Sequence, residues 1–300
     1  MKQLVLLSGK GGTGKTSVAA AFAHLAHDGP SPLRAVLADA DVDAANLELV
    51  VEARQREAHP FVGGSLAVIQ PELCEACGAC HTICRFDAVL PGDVYAIDAI
   101  ACEGCAACVY VCPTQAIHME PQMAGHWYRS DTRFGPLFHA ALRPAQENSG
   151  KLVTLVKQQA RLHALDGGYQ ALIVDGPPGI GCPVISAASG ADLALIVAEP
   201  TVAGIHDMQR ALETTAHFRV PALVCINKWD IYPAGAQEIE SYCSAHETEV
   251  VGRIPFDQTI TEAMVGGQPV TAHAPDAPAS MALVSIWRRV AQLLGTGSEA

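Results

Sequence analysis

Eight cysteines in two copies of one spacing constrain this 300-residue chain more than any other feature. Each copy reads C-x2-C-x2-C-x3-C, and the second begins at Cys102, 28 positions after the first begins at Cys74. Glu75 recurs as Glu103 at the same distance, which indicates an internal duplication. Three thiolates at every third position can wrap a short loop around one metal centre. The eight cysteines are Cys74, Cys77, Cys80, Cys84, Cys102, Cys105, Cys108 and Cys112.

This spacing is typical of iron–sulfur loops, and the region resembles a bacterial ferredoxin with two [4Fe-4S] clusters. In such ferredoxins the fourth cysteine of each copy binds the other cluster. Pro113 follows Cys112 as in those proteins, but Arg85 follows Cys84. Two structural zinc ions are the alternative, although zinc sites usually pair C-x2-C motifs across a longer loop. The resemblance implies one cluster on Cys74, Cys77, Cys80 and Cys112, and the other on Cys84, Cys102, Cys105 and Cys108.

Composition narrows the class of protein. Half of the residues are apolar, so the chain can bury a sizeable core in one large domain or two unequal ones. The net charge of −12, without a basic stripe, argues against a nucleic-acid partner. No apolar run approaches the ~18 residues of a membrane span, and the N-terminus leads into a glycine-rich loop instead of a signal cleavage site. We therefore expect a cytoplasmic, reduced protein without stable membrane insertion.

A phosphate-binding loop follows the first predicted strand, Leu4 to Leu7. Residues 9–17 match G-x4-G-K-[ST], in which backbone N–H groups cradle phosphates. Lys15 would reach the β- and γ-phosphates, the Thr16 hydroxyl would bind Mg²⁺, and a helix from Thr16 to about His27 would point its positive end at the same phosphates. The predicted nucleotide-binding residues of this loop are Gly11, Gly12, Thr13, Gly14, Lys15, Thr16 and Ser17.

The loop contains a further lysine, Lys10, which gives the pattern K-G-G-x-G-K-[ST]. This is the deviant Walker A motif of the MinD/ParA class of ATPases, and the chain resembles that class from end to end. The resemblance implies an ATP-dependent homodimer, or a heterodimer with a related ATPase, in which Lys10 reaches the partner's nucleotide. The alternative is a solvated loop lysine without a function.

Two predicted strands end at acidic residues, one at Asp39 and the other at Asp175. Asp41 lies two positions after Asp39, and alternate side chains of an extended segment face the same side. The resemblance implies that Asp39, Asp175 and Thr16 surround Mg²⁺, and that Asp41 positions the attacking water. Asp43 is predicted to cap a helix. The predicted catalytic residues are thus Lys10, Lys15 and Asp41.

The base-recognition motif supports two interpretations. The predicted strand Leu223 to Ile226 ends in Asn227-Lys228-Trp229-Asp230, and N-K-x-D reads guanine in other P-loop GTPases. The MinD/ParA resemblance implies instead that Asn227 contacts adenine and that the loop carrying Pro255 forms the wall of the base pocket. The full set of motifs favours ATP, and GTP stays open.

Predicted strands alternate with helices, which indicates a doubly wound, mostly parallel α/β sheet of the P-loop NTPase type. Residues 1–64 and 122–300 form this ATPase domain, and residues 65–121 form an inserted ferredoxin-like α+β domain bounded by Gly63-Gly64 and Pro121. The overall resemblance is to MinD-superfamily ATPases with such an insertion. Acidic residues dominate the insertion, which would attract a basic redox protein as partner. The alternative is a solvated acidic surface without a partner.

Three further segments carry weaker signals. The stretch Ser280 to Leu294 has an apolar stripe at helical spacing, which favours a core helix over a membrane-surface helix. Gly135-Pro136 predicts a turn, and residues 147–151 predict a loop before a helix. Glu199-Pro200-Thr201 fits a packed turn beneath the nucleotide.

These features support three hypotheses of function. The first is an ATPase that gates electron transfer or partner docking through its clusters. The second is an iron–sulfur cluster carrier, although no C-x-x-C pair follows Cys112. The third is a redox-sensing spatial organiser of the MinD/ParA type, for which a basic DNA-binding face or membrane helix would be the expected feature.

Overall fold

The computed structural model describes residues 1–143 and 149–295. The chain divides into two compact units. We call them the larger unit and the cysteine unit, and each is treated by itself. The larger unit comprises Met1–His59, Trp127–Ala141 and Ser149–Ala300, and the cysteine unit comprises Pro60–His126 and Leu142–Asn148.

Strands alternate with helices along the larger unit, as predicted, and the cysteine unit adds several short elements. The strands are β1 (Lys2–Ser8), β2 (Ala35–Asp39), β3 (Arg54–Ile69), β4 (Val89–Leu90), β5 (Ala96–Ile97), β6 (Ile117–Thr132), β7 (Gly135–Leu142), β8 (Ala171–Pro178), β9 (Leu193–Ala198), β10 (Ala222–Asn227) and β11 (Glu249–Ile254). The α-helices are α1 (Lys15–Asp28), α2 (Leu47–Val50), α3 (Ala79–Ile83), α4 (Ala107–Val111), α5 (Ser149–Asp166), α6 (Cys182–Ala188), α7 (Val202–His217), α8 (Pro233–Ala245), α9 (Gln258–Val265), α10 (Val270–His273) and α11 (Pro278–Gly295).

Nine strands form one sheet in the order β11-β10-β9-β1-β8-β2-β7-β6-β3. The central strand β1 pairs in parallel with β8 and β9, and β2 pairs in parallel with β7 and β8. Leu4 and Leu6 of β1 join the core beside α1, while the alternate residues Val5 and Leu7 are buried on the other face. Burial of both faces is typical of a sheet covered by helices on each side. The predicted mostly parallel α/β sheet is confirmed.

The C-terminal helix α11 packs into the core of the larger unit. Its apolar stripe is buried, and the Trp287 ring lies 5.0 Å from that of Phe22 on α1. The indole Nε1 donates a hydrogen bond of 3.1 Å to the Ser31 carbonyl, so this buried side chain keeps a polar partner. The core interpretation of residues 280–294 is confirmed. Within the described residues, no helix has the length and apolar character needed to cross a membrane.

The described residues between 127 and 155 form a hairpin followed by a helix. The turn lies at Arg133-Phe134, where the Thr132 hydroxyl accepts the Phe134 N–H at 3.0 Å and donates to the Gly135 carbonyl at 2.7 Å. The predicted turn at Gly135-Pro136 is therefore wrong, because those residues begin β7. The predicted loop over 147–151 is also wrong in part, since α5 begins at Ser149, and residues 147 and 148 lie outside the described residues.

The duplication in the sequence is repeated in the backbone of the cysteine unit. The helices α3 and α4 each follow a residue in the left-handed region, Gly78 with φ of 76° and Ala106 with φ of 61°. Cys80 and Cys108 are buried in a small core with Val89 of the β4–β5 hairpin. The predicted domain boundaries at Gly63-Gly64 and Pro121 fall inside β3 and β6, which continue through them.

Candidate nucleotide site and cysteine cavity

The phosphate-binding loop lies between β1 and α1, and its backbone requires glycine. Gly12 and Gly14 have φ of 79° and 90°, a region that side chains disfavour. A Cβ atom at Gly14 would also collide with the Asn227 side-chain amide. Gly14 is the residue before the helix, so the loop opens directly onto the positive end of α1.

Lys15 is buried at the start of α1 and makes an ion pair with Asp175. The Lys15 Nζ atom lies 2.6 Å from Asp175 Oδ1. Burial acts to lower the pKa of Lys15, but the charge and hydrogen bond of Asp175 outweigh it, so the pKa is raised. The other oxygen, Asp175 Oδ2, is buried without a hydrogen-bond partner among the described residues. An uncompensated carboxylate oxygen of this kind suits a water on Mg²⁺.

Asp39 lies beside Asp175, because the two residues are paired in register between β2 and β8. Burial, followed by the charge of Asp175, raises the pKa of Asp39 to about 7. Asp41 is half-buried, and burial is the main cause that raises its pKa, against the opposing charge of Lys15. The structure therefore places Asp39, Asp41 and Asp175 around one lysine, with Thr16 directly after that lysine.

The Asp39 carboxylate also holds the following loop. Its Oδ2 accepts the N–H groups of Asn46 and Leu47 at 3.1 and 3.0 Å, and its Oδ1 accepts that of Asp41 at 3.1 Å. The prediction that Asp43 caps a helix is wrong, since α2 begins at Leu47 and receives its acceptor from Asp39, eight residues earlier. One carboxylate thus joins the predicted metal site to α2.

A cavity of about 640 Å³, counted with its open mouth, connects the phosphate loop to the predicted base pocket. Asn227 closes one side, where its Nδ2 donates to the Thr13 carbonyl at 2.7 Å. Pro255 lines the opposite wall. The lining residues that belong to the predicted nucleotide site are Gly12, Gly14, Ser17, Asn227 and Pro255.

Two residues of the N-K-x-D motif, Lys228 and Asp230, make polar contacts beside this cavity. The Lys228 Nζ atom lies 3.2 Å from the Gly12 carbonyl and 2.6 Å from Glu199 Oε1. Asp230 Oδ1 accepts the Phe256 N–H at 2.7 Å, so one oxygen of this carboxylate is already engaged by the pocket wall.

Glu199 is the residue near the site whose importance the sequence did not reveal. Its carboxylate holds two lysines, with Lys10 Nζ 2.8 Å from Oε2 and Lys228 on the other oxygen. Partial burial acts to raise the pKa of Glu199, but the hydrogen bonds of both lysines outweigh it, so the pKa is lowered. The Thr201 hydroxyl accepts the Gly204 N–H at 3.0 Å and caps α7. The predicted packed turn therefore anchors the loop lysine Lys10.

In the cysteine unit, a second cavity brings together four cysteines from both copies of the repeat. It has a volume of about 340 Å³ including its opening, and the rest of its wall is mostly apolar, with Phe86, Val89 and Ile97 among the lining side chains. The cysteines that line it are Cys84, Cys102, Cys105 and Cys108. Cys84 belongs to the first copy, whereas the other three belong to the second.

The remaining four cysteines lie close to the small core of the same unit. Burial is the main cause that raises the pKa of Cys80, and the neighbouring Cys77 and Cys74 add to it. Cys112 packs against this core, and its Sγ accepts the Ala116 N–H at 3.3 Å. Within the described residues, no three histidine, cysteine or acidic side chains are grouped as ligands of a single metal ion.

Comparison with known proteins identifies the family. Residues 4–270 match the CobQ/CobB/MinD/ParA nucleotide binding domain. The chain belongs to this family. It is 35% identical over 226 residues to the uncharacterized protein MJ0578 of Methanocaldococcus jannaschii, which covers 75% of this chain and 78% of that protein.

Two further similarities bear on fold and function. The septum site-determining protein MinD of Pyrococcus horikoshii, solved with Mg-ADP, superposes with a TM-score of 0.61 at 17% identity and covers 100% of this chain and 99% of its own. An iron-sulfur cluster carrier protein of Aquifex aeolicus is 25% identical over 43% of this chain and 38% of its own length. The first similarity shows the fold alone, and with the family match it identifies a P-loop ATPase of the MinD/ParA type.

Proposed function

We propose that this protein is a Mg²⁺-dependent ATPase that holds two [4Fe-4S] clusters in its cysteine unit. Its nucleotide state gates electron transfer through the clusters or the docking of a partner. The observation that carries the proposal is the cavity lined by Cys84 together with Cys102, Cys105 and Cys108. Three ligands from one copy and one from the other is the ligand set of a two-cluster ferredoxin.

The residues that line the cavity suit a cluster. Each thiolate of a cube binds a different iron, so the four sulfur atoms must surround a space and not meet at one point. The apolar side chains Phe86, Val89 and Ile97 complete the wall and would limit water around the metal, which helps to set the reduction potential. When bound, the two clusters would supply one-electron transfer.

In the larger unit, the ion pair of Lys15 and Asp175 would part when nucleotide binds. Lys15 would turn to the β- and γ-phosphates, while Asp175 and Asp39 would hold Mg²⁺ through water, together with the Thr16 hydroxyl. Asp41 would position the attacking water. These groups act by orientation and by neutralising charge, which are the main requirements of phosphoryl transfer.

ATP is the proposed nucleotide, with Asn227 and Pro255 beside the base. One oxygen of Asp230 already accepts the Phe256 N–H, whereas guanine recognition needs a carboxylate directed at the base edge. Competition between ATP and GTP for the Mg²⁺-loaded protein tests this choice. We expect Asp230→Asn to leave ATP affinity within about threefold of wild type, because the neutral amide still accepts the Phe256 N–H. Tighter binding of GTP than ATP by the wild-type protein would contradict it.

The proposed partners follow from the same features. ATP would bring two copies together, or one copy and a related ATPase, with Lys10 leaving Glu199 for the partner's nucleotide. The acidic surface of the insertion suits a basic redox protein. A cytoplasmic location remains a prediction.

A cluster carrier is the second candidate, supported by the similarity to the Aquifex aeolicus carrier protein. Transfer of clusters to an acceptor protein without metal separates the two candidates. The gating proposal expects the clusters to stay on this protein through repeated ATP turnover, whereas a carrier would release them.

Metal analysis of protein purified without oxygen tests the cluster proposal. We expect about eight iron and eight sulfide per chain, as two cubes require. Cys105→Ser removes a ligand of the described cavity and should lower the iron content by about half. Cys182→Ser is the matched control, since Cys182 is also exposed but lies on α6, and it should keep all the iron. Two zinc ions per chain without visible charge-transfer absorption would contradict the proposal.

A further inference from the structure

A third cavity, unrelated to the nucleotide and the cysteines, lies between α5, α6 and the first residues of β1. Its volume is about 760 Å³ with its open mouth. All its lining residues belong to the larger unit. The polar ones used below are Gln3, Lys157, Gln158 and Arg161.

Two cationic side chains line this cavity, and none of its lining residues in the described part of the chain carries a carboxylate. Lys157 and Arg161 are one helical turn apart on α5, a spacing at which like charges repel. The Lys157 ammonium donates to three carbonyls at the end of α6, those of Ser186, Ala187 and Ser189, at 2.6, 2.8 and 2.7 Å. The Arg161 side chain has no hydrogen bond or ion pair with any residue that the structure describes.

The floor of the cavity has a buried donor without an acceptor. Gln3 is only 1% exposed, and its Nε2 atom has no hydrogen-bond partner among the described residues. The nearby carboxylate of Asp192 does not fill this role, because it accepts the Gln3 backbone N–H at 2.8 Å and pairs with Lys2 at 3.2 Å. A buried amide donor left unpaired costs free energy that a bound acceptor would recover.

We infer that this cavity binds a small organic anion, with its oxyanion group between Arg161 and the Gln3 amide and its apolar part against Ile185 and Phe218. The wall supplies both elements, since Ile185 and Phe218 line the same space as the cationic side chains. A carboxylate or a phosphate would satisfy the same donors. Lys157 contributes charge and not a further hydrogen bond, as its three donors are already used.

The position of this site connects a bound anion to the nucleotide site of the larger unit through α6. The cavity contacts the C-terminal end of α6, and α6 begins at Cys182, after the short loop that follows β8, the strand of Asp175. Lys157 joins α5 to that end of α6, so a ligand beside Lys157 contacts a helix whose other end follows the strand of Asp175. The site is thus suited to an effector of the ATPase.

Titration with two probe anions tests the site in the full chain saturated with ADP and Mg²⁺, so that the phosphate loop is occupied. Hexanoate and inorganic phosphate are added separately, and amide hydrogen exchange is followed at residues 154–161 and 185–189. We expect at least one probe to slow exchange in both segments. Protection by hexanoate alone indicates a carboxylate ligand, and protection by phosphate alone indicates a phosphate ligand. Protection by neither probe overturns the inference.

Variants assign the binding to the named groups. Arg161→Gln should weaken the protecting probe about tenfold, through loss of a charge-assisted hydrogen bond. Gln3→Leu keeps the buried volume and removes the donor, so it should weaken the probe about threefold or more. Arg288→Gln is the control, since Arg288 is also an exposed helical arginine but lies on α11. Equal affinities of Arg161→Gln and Arg288→Gln would overturn the inference.

Discussion

Replacement of Asp39 by asparagine should affect the stability of the nucleotide-free protein more favourably at alkaline pH than at acidic pH. Asp39 is fully buried beside Asp175, and the two carboxylates share the single charge of Lys15. Burial and the charge of Asp175 raise the pKa of Asp39 to about 7, from an ordinary value of 3.8. The fold therefore disfavours the charged form of Asp39. The resulting loss of unfolding free energy is complete above pH 7, becomes smaller as the pH falls below 7, and is absent below pH 4.

The size of the effect follows from the pKa. Between pH 5 and pH 8, Asp39 stays charged in the unfolded protein, whereas in the folded protein it loses its proton at a pKa of about 7. The folded state therefore binds one more proton than the unfolded state over about 2 pH units, from pH 5 to the pKa. At about 1.4 kcal/mol per unit, wild type loses roughly 2 to 3 kcal/mol of unfolding free energy through this group. Asparagine cannot titrate, so the effect of Asp39→Asn should be more favourable at pH 8 than at pH 5 by that amount.

Urea unfolding at both pH values measures this difference, in protein freed of nucleotide and Mg²⁺ and carrying the same metal content in each variant. Asp43→Asn is the control, because Asp43 is an exposed acid of the same loop, and it should behave alike at both pH values. The same Asp39→Asn protein should bind Mg²⁺-nucleotide more weakly. An equal effect of Asp39→Asn at pH 5 and pH 8 would refute the reasoning, since it would show that the fold does not suppress the charge.

Three further substitutions follow from the site. Lys15→Ala should abolish nucleotide binding in an equilibrium titration, because the phosphates lose their buried cation; retained affinity would contradict this. Asp41→Asn should bind ATP normally and hydrolyse it at least about tenfold more slowly in a phosphate-release assay, as expected for a residue that positions water; wild-type turnover would exclude that role. Glu199→Gln should release Lys10 and raise ATP-dependent self-association about fivefold by light scattering, whereas exposed Glu238→Gln should not; equal association would show that Glu199 does not restrain the lysine.

The strands and the phosphate loop were predictable because local sequence determines them. An apolar run followed by glycines strongly favours a buried strand and a tight loop. The strand β1 and the helix α1 lie where the motif indicates. The proximity of Asp39 and Asp175 was predictable for a related reason. Polar residues toward the carboxyl ends of parallel strands meet at one edge of the sheet, so two distant aspartates become neighbours.

The roles that sequence did not reveal depend on tertiary contacts. Glu199 looked like part of a turn, and its importance comes from two lysines that the fold brings from Lys10 and Lys228. Asp39, and not the predicted Asp43, accepts the N–H groups at the start of α2, because a buried carboxylate can reach N–H groups across a loop. No local pattern specifies either contact.

The glycines at the predicted boundary of the insertion have a role in packing. Gly63-Gly64 was predicted to bound the insertion, and both residues lie within β3. A Cβ atom at Gly63 would lie 2.6 Å from the Phe61 ring and 2.7 Å from Ala124 Cβ, so close packing, and not a turn, explains this glycine. Sequence alone cannot separate these two uses of glycine, because the second depends on what packs against the strand.

Nucleotide affinity in the oxidised and the reduced protein tests the central claim most directly. If nucleotide gates the clusters by shifting their reduction equilibrium, reduction must change nucleotide affinity by the same free energy by which nucleotide changes that equilibrium. A coupling of ~1.4 kcal/mol would appear as a tenfold difference in dissociation constant. We predict at least that difference between cluster-loaded protein titrated with an ATP analogue before and after reduction, and no difference in a Cys105→Ser, Cys77→Ser variant that lacks both clusters. Equal affinities in the two redox states of the loaded wild-type protein would contradict the account.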